Sequence, residues 1–267
     1  MTALAIAALM MAAMTGVMTA AWLFQRRVGD GGWTDVFWVL GTGMACVVAA
    51  LSGVGTPTTR QVVVAVLAGL WGLRLGLHML NRVRASAEED RRYTGFRRDW
   101  GAAFQRRMLS FALSQAPAGA ILASAVHVAA QNTTPFGRPE DYVGLLLFAV
   151  AWTGESLADA QLSRFKADPA NRGRIADAGL WAWSRHPNYF FELLTWTAFV
   201  PLALAPGYAQ GGWSLAAPLQ MFVLLNYVSG VPPLERAMRE AHGPAFDAYA
   251  ARTSRFFPLP PRAPKGA

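Results

Sequence analysis

The stretch SRHPNYFFELLTWTAFVPLALA, from Ser184 to Ala205, sets a cluster of polar side chains directly before an apolar run. Proline suits the first turn of a helix and pushes the preceding residue away from helical backbone, so we expect a helix to begin near Pro187. Asn188, Glu192 and Trp196 follow at intervals of four and share one face of that helix. A polar face of this kind is poorly suited to contact with lipid and favours a ligand site over a structural cap.

The composition indicates that this apolar run belongs to a membrane protein. Hydrophobic residues make up 54% of the 267 residues and charged residues only 15%, a balance unlike that of ordinary soluble domains. A helix needs about 20 apolar residues to cross a bilayer, and seven runs approach that length. The sequence therefore predicts an all-α polytopic protein, a bundle of seven transmembrane helices. The runs are Thr2–Phe24, Val36–Val54, Gln61–Leu80, Met108–Ala130, Tyr142–Leu162, Tyr189–Ala205 and Trp213–Val231.

The basic residues alternate between the connections of these runs. Of the 24 Lys and Arg residues, 21 fall on the side that contains the first, third and fifth connections and the C-terminal tail. Positive charge collects in cytoplasmic loops, so we expect the N-terminus outside and the C-terminus in the cytoplasm. This placement accounts for the net charge of +8 without nucleic-acid binding. The first run lacks a basic leader and is followed by Arg26 and Arg27, which predicts a retained helix rather than a cleaved signal.

The sequence offers no pattern for disulfide or metal chemistry. Cys46 is the single cysteine, and the four histidines are scattered without a metal-binding spacing. The fragment GTGMA, residues 41–45, lies inside an apolar run rather than after a strand. It therefore predicts close helix packing and not a nucleotide-binding loop.

Ionisable residues within or beside the apolar runs are costly in a membrane and mark candidate functional positions. Asp35 opens the second run in WTDVFW, where either a helix cap or chemistry would explain it. Arg74 and His78 are four residues apart in the third run and share a helix face. Arg74 either snorkels to the cytoplasmic edge or binds an anion such as a phosphate or a carboxylate.

The fifth run carries acidic residues and leads into a basic segment. Glu155 and Asp159 are four residues apart and share a helix face. The loop expected after them is basic, and its cations are Arg164, Lys166, Arg172 and Arg174. Acids followed by cations suit a ligand that has both ribose hydroxyls and phosphates. A solvated run of charges explains the loop equally well.

The segment LADAQLSRFKADPANRGRIADAGLWAWSRHPNYFFELLTW, residues 157–196, resembles the C-terminal signature of the steroid 5-alpha-reductase superfamily, most closely its bacterial branch. The segments WTDVFW, WGLRL, VSGVPPLE and FDAYAARTSRFFPLPP extend the resemblance over most of the chain. The resemblance implies a seven-helix membrane reductase of a bacterial inner membrane that holds NADPH from the cytoplasmic side. The hydride would pass to a carbon–carbon double bond conjugated with a carbonyl in a hydrophobic substrate, either steroid-like, isoprenoid or another lipid.

The resemblance also implies how the chain is organised and which residues bind the cofactor. It implies one membrane domain, 1–267, in which helices 1–4 within 1–130 form the substrate side and 131–267 carry the cofactor signature. Arg74 matches an arginine on the third helix of the family. The other cofactor positions of the family fall on Asp159, Lys166, Arg174, Asn188, Glu192 and Trp196. Further predicted cofactor-binding residues near them are Arg164, Arg185, His186 and Glu235. Two roles stay open for His186, either a phosphate ligand or a group that orders the loop.

The proton donor departs from the family pattern. The steroid-reducing members use a glutamine–glutamate pair on the second helix and a tyrosine on the third. Here the second helix offers Asp35 at its mouth, and Trp71 stands at the tyrosine position. An indole N–H donates a hydrogen bond but no useful proton. The candidate catalytic residues are therefore Asp35, His78 and Tyr189.

Two other classes of function stay open. An S-adenosylmethionine-dependent methyltransferase that resembles isoprenylcysteine carboxyl methyltransferase would share RHPxY and an acidic motif near the last helix. This chain has LERAMRE, in which Glu235 is followed by arginine in place of a second glutamate, and this counts against methyl transfer. A lipid-binding or transport protein has weaker support, because no inverted repeat is visible.

Overall fold

The computed structural model describes residues 3–53, 55–56, 58–86 and 88–262. Within them the regular structure is helical, with one isolated bridge between Ser184 and Ser254, which confirms the predicted all-α class. Thr2 and Val54, which end two predicted runs, lie outside the described residues. The α-helices are α1 (Ala3–Val28), α2 (Trp33–Leu51), α3 (Thr59–Ala85), α4 (Arg91–Trp100), α5 (Phe104–Leu113), α6 (Ala116–Ala130), α7 (Pro139–Ala167), α8 (Leu180–Trp183), α9 (Pro187–Thr197), α10 (Phe199–Ala203), α11 (Ala216–Val223), α12 (Val231–His242) and α13 (Pro244–Arg252).

Six helical segments of the described chain are long and apolar enough to cross a membrane, where the sequence predicted seven. The sixth predicted run, Tyr189–Ala205, is divided between α9 and α10, and neither of them is long enough to span alone. Helix α9 ends at Thr197, because Pro201 lacks the amide hydrogen that would bond to the Thr197 carbonyl. The six segments are Leu4–Val28, Trp33–Leu51, Thr59–Ala85, Arg92–Ala130, Pro139–Ala167 and Ala209–His242.

The chain forms two compact units, of which the first comprises Met1–Arg138 and Phe199–Ala217. Helix α2 packs against α3 and α6, and α1 packs against α2, α5 and α6. Gly43 of α2 faces Gly72 of α3, and a Cβ built on either would lie 2.9 Å from the Cα of the other. This close approach confirms the packing role predicted for GTGMA, since small residues let helix backbones meet.

The second unit comprises Pro139–Ala198 and Pro218–Ala267. Helix α7 packs along α9, and the Trp181 indole of α8 donates to the Ala158 carbonyl of α7 at 3.0 Å. Helix α7 continues to Ala167, so Arg164 and Lys166 lie in its last turn and not in the predicted loop. Basic side chains are stabilised at a helix C-terminus by the partial negative charge of its free carbonyls, which accounts for the longer helix.

Replacing Gly72 by alanine should push α2 and α3 apart, because the added methyl group meets the backbone of Gly43 rather than a side chain that can turn away. Overpacking of this kind costs about 1–3 kcal/mol. We expect a lower midpoint of thermal unfolding for the purified protein in detergent.

Gly16→Ala is the matched control, since Gly16 lies within α1 and a Cβ there meets nothing within 4 Å. Alanine has the higher helix propensity, so this variant should be as stable as the wild type or slightly more so. Equal midpoints for the two variants would contradict the close approach of α2 and α3.

Candidate functional site

Arg185 holds the motif at the start of α9. Its Nε donates to Glu235 Oε1 at 2.7 Å, and its Nη1 donates to the carbonyls of Ala250 and Thr253 at 3.1 and 2.7 Å. Its backbone amide donates to the Ser254 carbonyl at 2.8 Å. Arg185 therefore fastens α12 and the C-terminal tail to the motif, and these two guanidinium nitrogens are occupied by protein acceptors.

His186 is buried beside this ion pair. Its Nε2 lies 3.2 Å from Glu235 Oε1, while its Nδ1 has no hydrogen-bond partner among the described residues. The Tyr189 ring stacks on the imidazole, with 5.6 Å between centroids and an interplanar angle of 12°. Burial lowers the pKa of His186 below its ordinary value, although Glu235 opposes that shift. The imidazole is therefore neutral near pH 7, with one ring nitrogen left for a ligand.

A cavity of about 310 Å³ lies beside Arg185 and His186 in the second unit. The described residues that line it include four with basic side chains and none with a carboxylate. Its other walls are mainly apolar and aromatic, while Lys166, Arg172 and Arg174 are exposed to solvent. The cavity is therefore suited to an anionic ligand. The basic residues are Lys166, Arg172, Arg174 and Arg185.

The face of α9 that the spacing predicted is turned into the second unit. Glu192 and Trp196 are 6% and 1% exposed, and the Trp196 indole donates to Glu192 Oε1 at 2.8 Å. Asn188 is half-buried, and its Nδ2 donates to Asp159 Oδ1 of α7 at 3.3 Å. These polar groups are therefore kept away from lipid by contacts within the protein.

The second unit contains all predicted site residues except Asp35, Arg74 and His78. Within it some residues line the cavity, others lie along the contact of α7 with α9, and Glu235 lies on α12, where it pairs with Arg185. Arg164 is exposed and is not among the lining residues. It lies two residues before Lys166, and two positions along an α-helix correspond to a rotation of about 200°, so the two side chains point to nearly opposite sides of α7. The predicted residues that line the cavity are Lys166, Arg174, Arg185 and His186.

The cavity also has lining residues that were not among the predicted site residues. Arg172 is a cation two residues before Arg174 in the sequence, and this spacing could have identified it as a lining residue. His242 and Tyr249 reach the cavity from α12 and α13. His242 Nδ1 lies 3.2 Å from the Gly173 carbonyl. No local pattern marks the last two, because their position depends on how the tail folds back.

In the first unit, the Asp35 carboxylate joins an ion-pair network. Arg92 Nη2 lies 2.6 Å from Asp35 Oδ2, Arg82 Nη2 lies 3.6 Å from the same oxygen, and the buried Tyr93 hydroxyl donates to Oδ1 at 2.9 Å. Gly32 occupies the N-cap position of α2, so the cap interpretation of Asp35 is wrong. Asp35 instead ties the start of α2 to the end of α3 and to α4.

Arg74 and His78 are half-buried on α3, one turn apart as the spacing predicted. Trp71 is 1% exposed and belongs to the core of the first unit. Among the described residues, no group of three His, Cys, Asp or Glu side chains is arranged to hold a metal ion.

These features define a helical membrane protein with a cation-lined cavity. A family model described as Protein of unknown function (DUF1295) matches residues 21–253, and the chain belongs to that family.

Two curated relatives match parts of the chain. It is 31% identical over 158 residues to Uncharacterized protein C594.04c of Schizosaccharomyces pombe, an alignment that covers 52% of this chain and 45% of the relative. It is 29% identical over 119 residues to Probable O-methyltransferase ustE of Ustilaginoidea virens, which covers 43% and 39%. The chain thus spans less than half the length of either relative. No solved structure matches.

Asp35→Asn should lower the free energy of unfolding, because the amide cannot neutralise the guanidinium groups of Arg82 and Arg92. Both arginine side chains are 44% exposed, so water screens part of the loss, and we expect about 1–2 kcal/mol. The midpoint of thermal unfolding in detergent measures the effect. Asp99→Asn breaks an exposed pair with Arg98 and should leave the midpoint unchanged. A wild-type midpoint for Asp35→Asn would exclude the bridging role.

Proposed function

We propose that the protein is an NADPH-dependent membrane reductase that transfers a hydride to a conjugated carbon–carbon double bond of a hydrophobic, lipid-like substrate. The observation that carries the proposal is the cavity of the second unit, where Lys166, Arg172 and Arg174 meet beside the Arg185–Glu235 ion pair and no carboxylate is among the described lining residues. NADPH has a pyrophosphate and a 2'-phosphate, and clustered ammonium and guanidinium groups are typical ligands of phosphates. The resemblance of residues 157–196 to the steroid 5-alpha-reductase superfamily supports the same reaction.

The residues present fit such a cofactor. Lys166, Arg172 and Arg174 line the cavity and would hold the phosphates. Asp159 and Asn188, which bond to each other at 3.3 Å at the contact of α7 with α9, are not among the lining residues of the cavity, and they would contribute an acceptor and an amide only to the part of the cofactor that extends beyond it. When bound, NADPH supplies the hydride.

The charge of the cavity favours reduction over methyl transfer. S-adenosylmethionine carries a sulfonium cation, which clustered basic side chains repel. Methyl transfer is the second candidate, because the relative from Ustilaginoidea virens is named a probable O-methyltransferase. In a methyltransferase of this type, Glu235 would contribute to the cofactor site, whereas here its Oε1 accepts from Arg185 and lies beside His186.

For delivery of the proton, we propose His78 and Tyr189 ahead of Asp35. The Asp35 carboxylate already accepts hydrogen bonds from Arg92 and Tyr93, an arrangement suited to holding helices together. A general acid must instead carry a proton to the reacting substrate.

Purified protein should bind NADPH more tightly than NADH or S-adenosylmethionine. Arg174→Ala should weaken NADPH binding about 10- to 100-fold, because a hydrogen bond from a charged group is worth about 1.5–3 kcal/mol. Calorimetric titration of the protein in detergent with each of the three ligands measures both effects.

Arg107→Ala is the control for that titration, since it removes the same charge from an exposed position of α5 in the first unit. Its affinity for NADPH should equal that of the wild type. Binding of S-adenosylmethionine without binding of NADPH would overturn the reductase and favour the second candidate.

We propose further that the chain crosses the membrane seven times, with the run Tyr189–Ala205 as the remaining crossing. An odd number places the two termini on opposite sides, whereas six crossings return them to the same side. The position of 21 of the 24 Lys and Arg residues on one side supports the odd number. The N-terminus would then face outward, and the basic loop after α7 would face the cytoplasm of a bacterial cell.

A reporter fused to the C-terminus should therefore lie in the cytoplasm of a bacterial host. We expect fluorescence from a green fluorescent protein fusion and no activity from an alkaline phosphatase fusion, because the phosphatase needs the oxidising periplasm. Fusions after Arg138 should give the opposite result and serve as the control. Active phosphatase at the C-terminus would contradict seven crossings.

A further inference from the structure

His186 has a nitrogen whose hydrogen-bonding capacity the described protein does not use. The residue lines the cavity, it is 3% exposed, and its Nδ1 has no hydrogen-bond partner among the described residues. A buried polar atom without a partner costs free energy. A ligand that fills the cavity can remove that cost, so the nature of the bond at Nδ1 restricts what the ligand is.

Glu235 determines which kind of hydrogen bond Nδ1 makes. Its Oε1 accepts from Arg185 Nε at 2.7 Å, and a guanidinium partner keeps a carboxylate ionised. An ionised carboxylate can only accept hydrogen bonds. The proton of a neutral His186 therefore lies on Nε2, which is 3.2 Å from the same oxygen. In that tautomer, Nδ1 carries a lone pair and no hydrogen.

The environment favours the neutral form of the ring. Burial lowers the pKa of His186, and the charges of Arg185 and Arg255 act in the same direction, while Glu235 opposes them. A doubly protonated ring, which would turn Nδ1 into a donor, is therefore disfavoured near pH 7.

We infer that His186 Nδ1 accepts a hydrogen bond from a hydroxyl or amide N–H group of the cavity's ligand, and that His186 is not a phosphate ligand. A phosphate oxygen beside Nδ1 would set two acceptors against each other. The inference rests on the proposed function, since NADPH offers ribose hydroxyls and a carboxamide as well as phosphates. Lys166, Arg172 and Arg174 then hold the phosphates, and His186 orients a sugar or an amide.

Glu235 acts through His186 and is a positioning residue. It selects the tautomer, as carboxylates do for metal-bound and catalytic imidazoles. Tyr189 stacks on the ring at 5.6 Å and limits its rotation. The lone pair thus keeps a fixed direction before any ligand enters the cavity.

Nitrogen-15 NMR of the full-length protein, labelled at its four histidines, tests the tautomer without a ligand. Comparison with His186→Gln assigns the His186 signals. Correlations between ring nitrogens and ring protons should identify a neutral imidazole protonated at Nε2 at pH 7. In Glu235→Gln, the two tautomers should become mixed. Protonation at Nδ1, or at both nitrogens, in the wild type would overturn the inference.

Binding measurements test the class of ligand group. In His186→Gln the side-chain amide can still donate to Glu235 but no longer offers an acceptor at the place of Nδ1. We expect about a 3- to 10-fold weaker affinity for NADPH, the equivalent of one hydrogen bond, and an unchanged affinity for inorganic pyrophosphate. An equal loss for pyrophosphate would make His186 a phosphate ligand and overturn the inference. A thermal midpoint like that of the wild type shows that the variant is folded. Should His186→Gln fail to fold, Glu235→Gln takes its place in the same two titrations. Because this variant mixes the tautomers and leaves the acceptor form partly populated, about a 2-fold weaker affinity for NADPH and an unchanged affinity for pyrophosphate are expected.

The two proposals fail separately. If the wild type binds S-adenosylmethionine and not NADPH, the reductase proposal fails. The nitrogen-15 signal of His186 Nδ1 then tests the present inference. S-adenosylmethionine also has ribose hydroxyls, so its binding should shift that signal if Nδ1 accepts a hydrogen bond. If neither compound binds, the tautomer observed without a ligand decides whether Nδ1 is an acceptor.

Discussion

The ion pair between Arg185 and Glu235 is the interaction on which the second unit depends. The Arg185 side chain is 11% exposed, and an arginine so deeply placed is costly to leave unpaired. Its planar fork reaches Glu235 of α12 and the Ala250 and Thr253 carbonyls near the end of α13 at the same time. Because Arg185 directly precedes His186, the contacts that hold the tail also fix the backbone from which α9 begins.

The polar stretch before α9 has a structural role, since several of its groups bind the C-terminal tail. The Ser184 hydroxyl donates to the Phe256 carbonyl at 2.8 Å, and the Leu259 amide donates to the Trp183 carbonyl at 3.0 Å. Much of the polarity is thus used to hold the tail against the motif, since buried backbone groups need hydrogen-bond partners. The other cations that line the cavity come from the end of α7 and the loop after it, at Lys166, Arg172 and Arg174.

The first unit uses ion pairs for a related purpose. Asp35 pairs with Arg92 between the start of α2 and α4, and Arg97 pairs with Glu89 at 2.7 Å beside them. Apolar helices pack through small residues and shape, which leaves few directional contacts inside the bundle. Ion pairs at the helix ends provide directional contacts that fix how the helices meet. A carboxylate at the start of a helix is therefore not by itself a sign of catalysis.

Much of the helical framework could be predicted from the sequence, because the length of an apolar run is a local property. The division of Tyr189–Ala205 could not, although Pro201 was visible, since a proline either bends or ends a helix according to what packs around it. Arg164 and Lys166 could not be distinguished from the sequence. Because α7 continues to Ala167, both lie on this helix, and only Lys166 is on the side that lines the cavity.

By itself the sequence determined the all-α class, six of the seven predicted apolar spans, the close packing at Gly43 and the shared face of Asn188, Glu192 and Trp196. These follow from run length and from the helical period, which act between near neighbours. Only the tertiary structure decided that Arg185 serves the scaffold and that His186 lies against a cation-lined cavity. Those outcomes depend on distant partners such as the Thr253 carbonyl, 68 residues from Arg185 along the chain. No local pattern encodes which distant carbonyl or carboxylate will meet a given side chain.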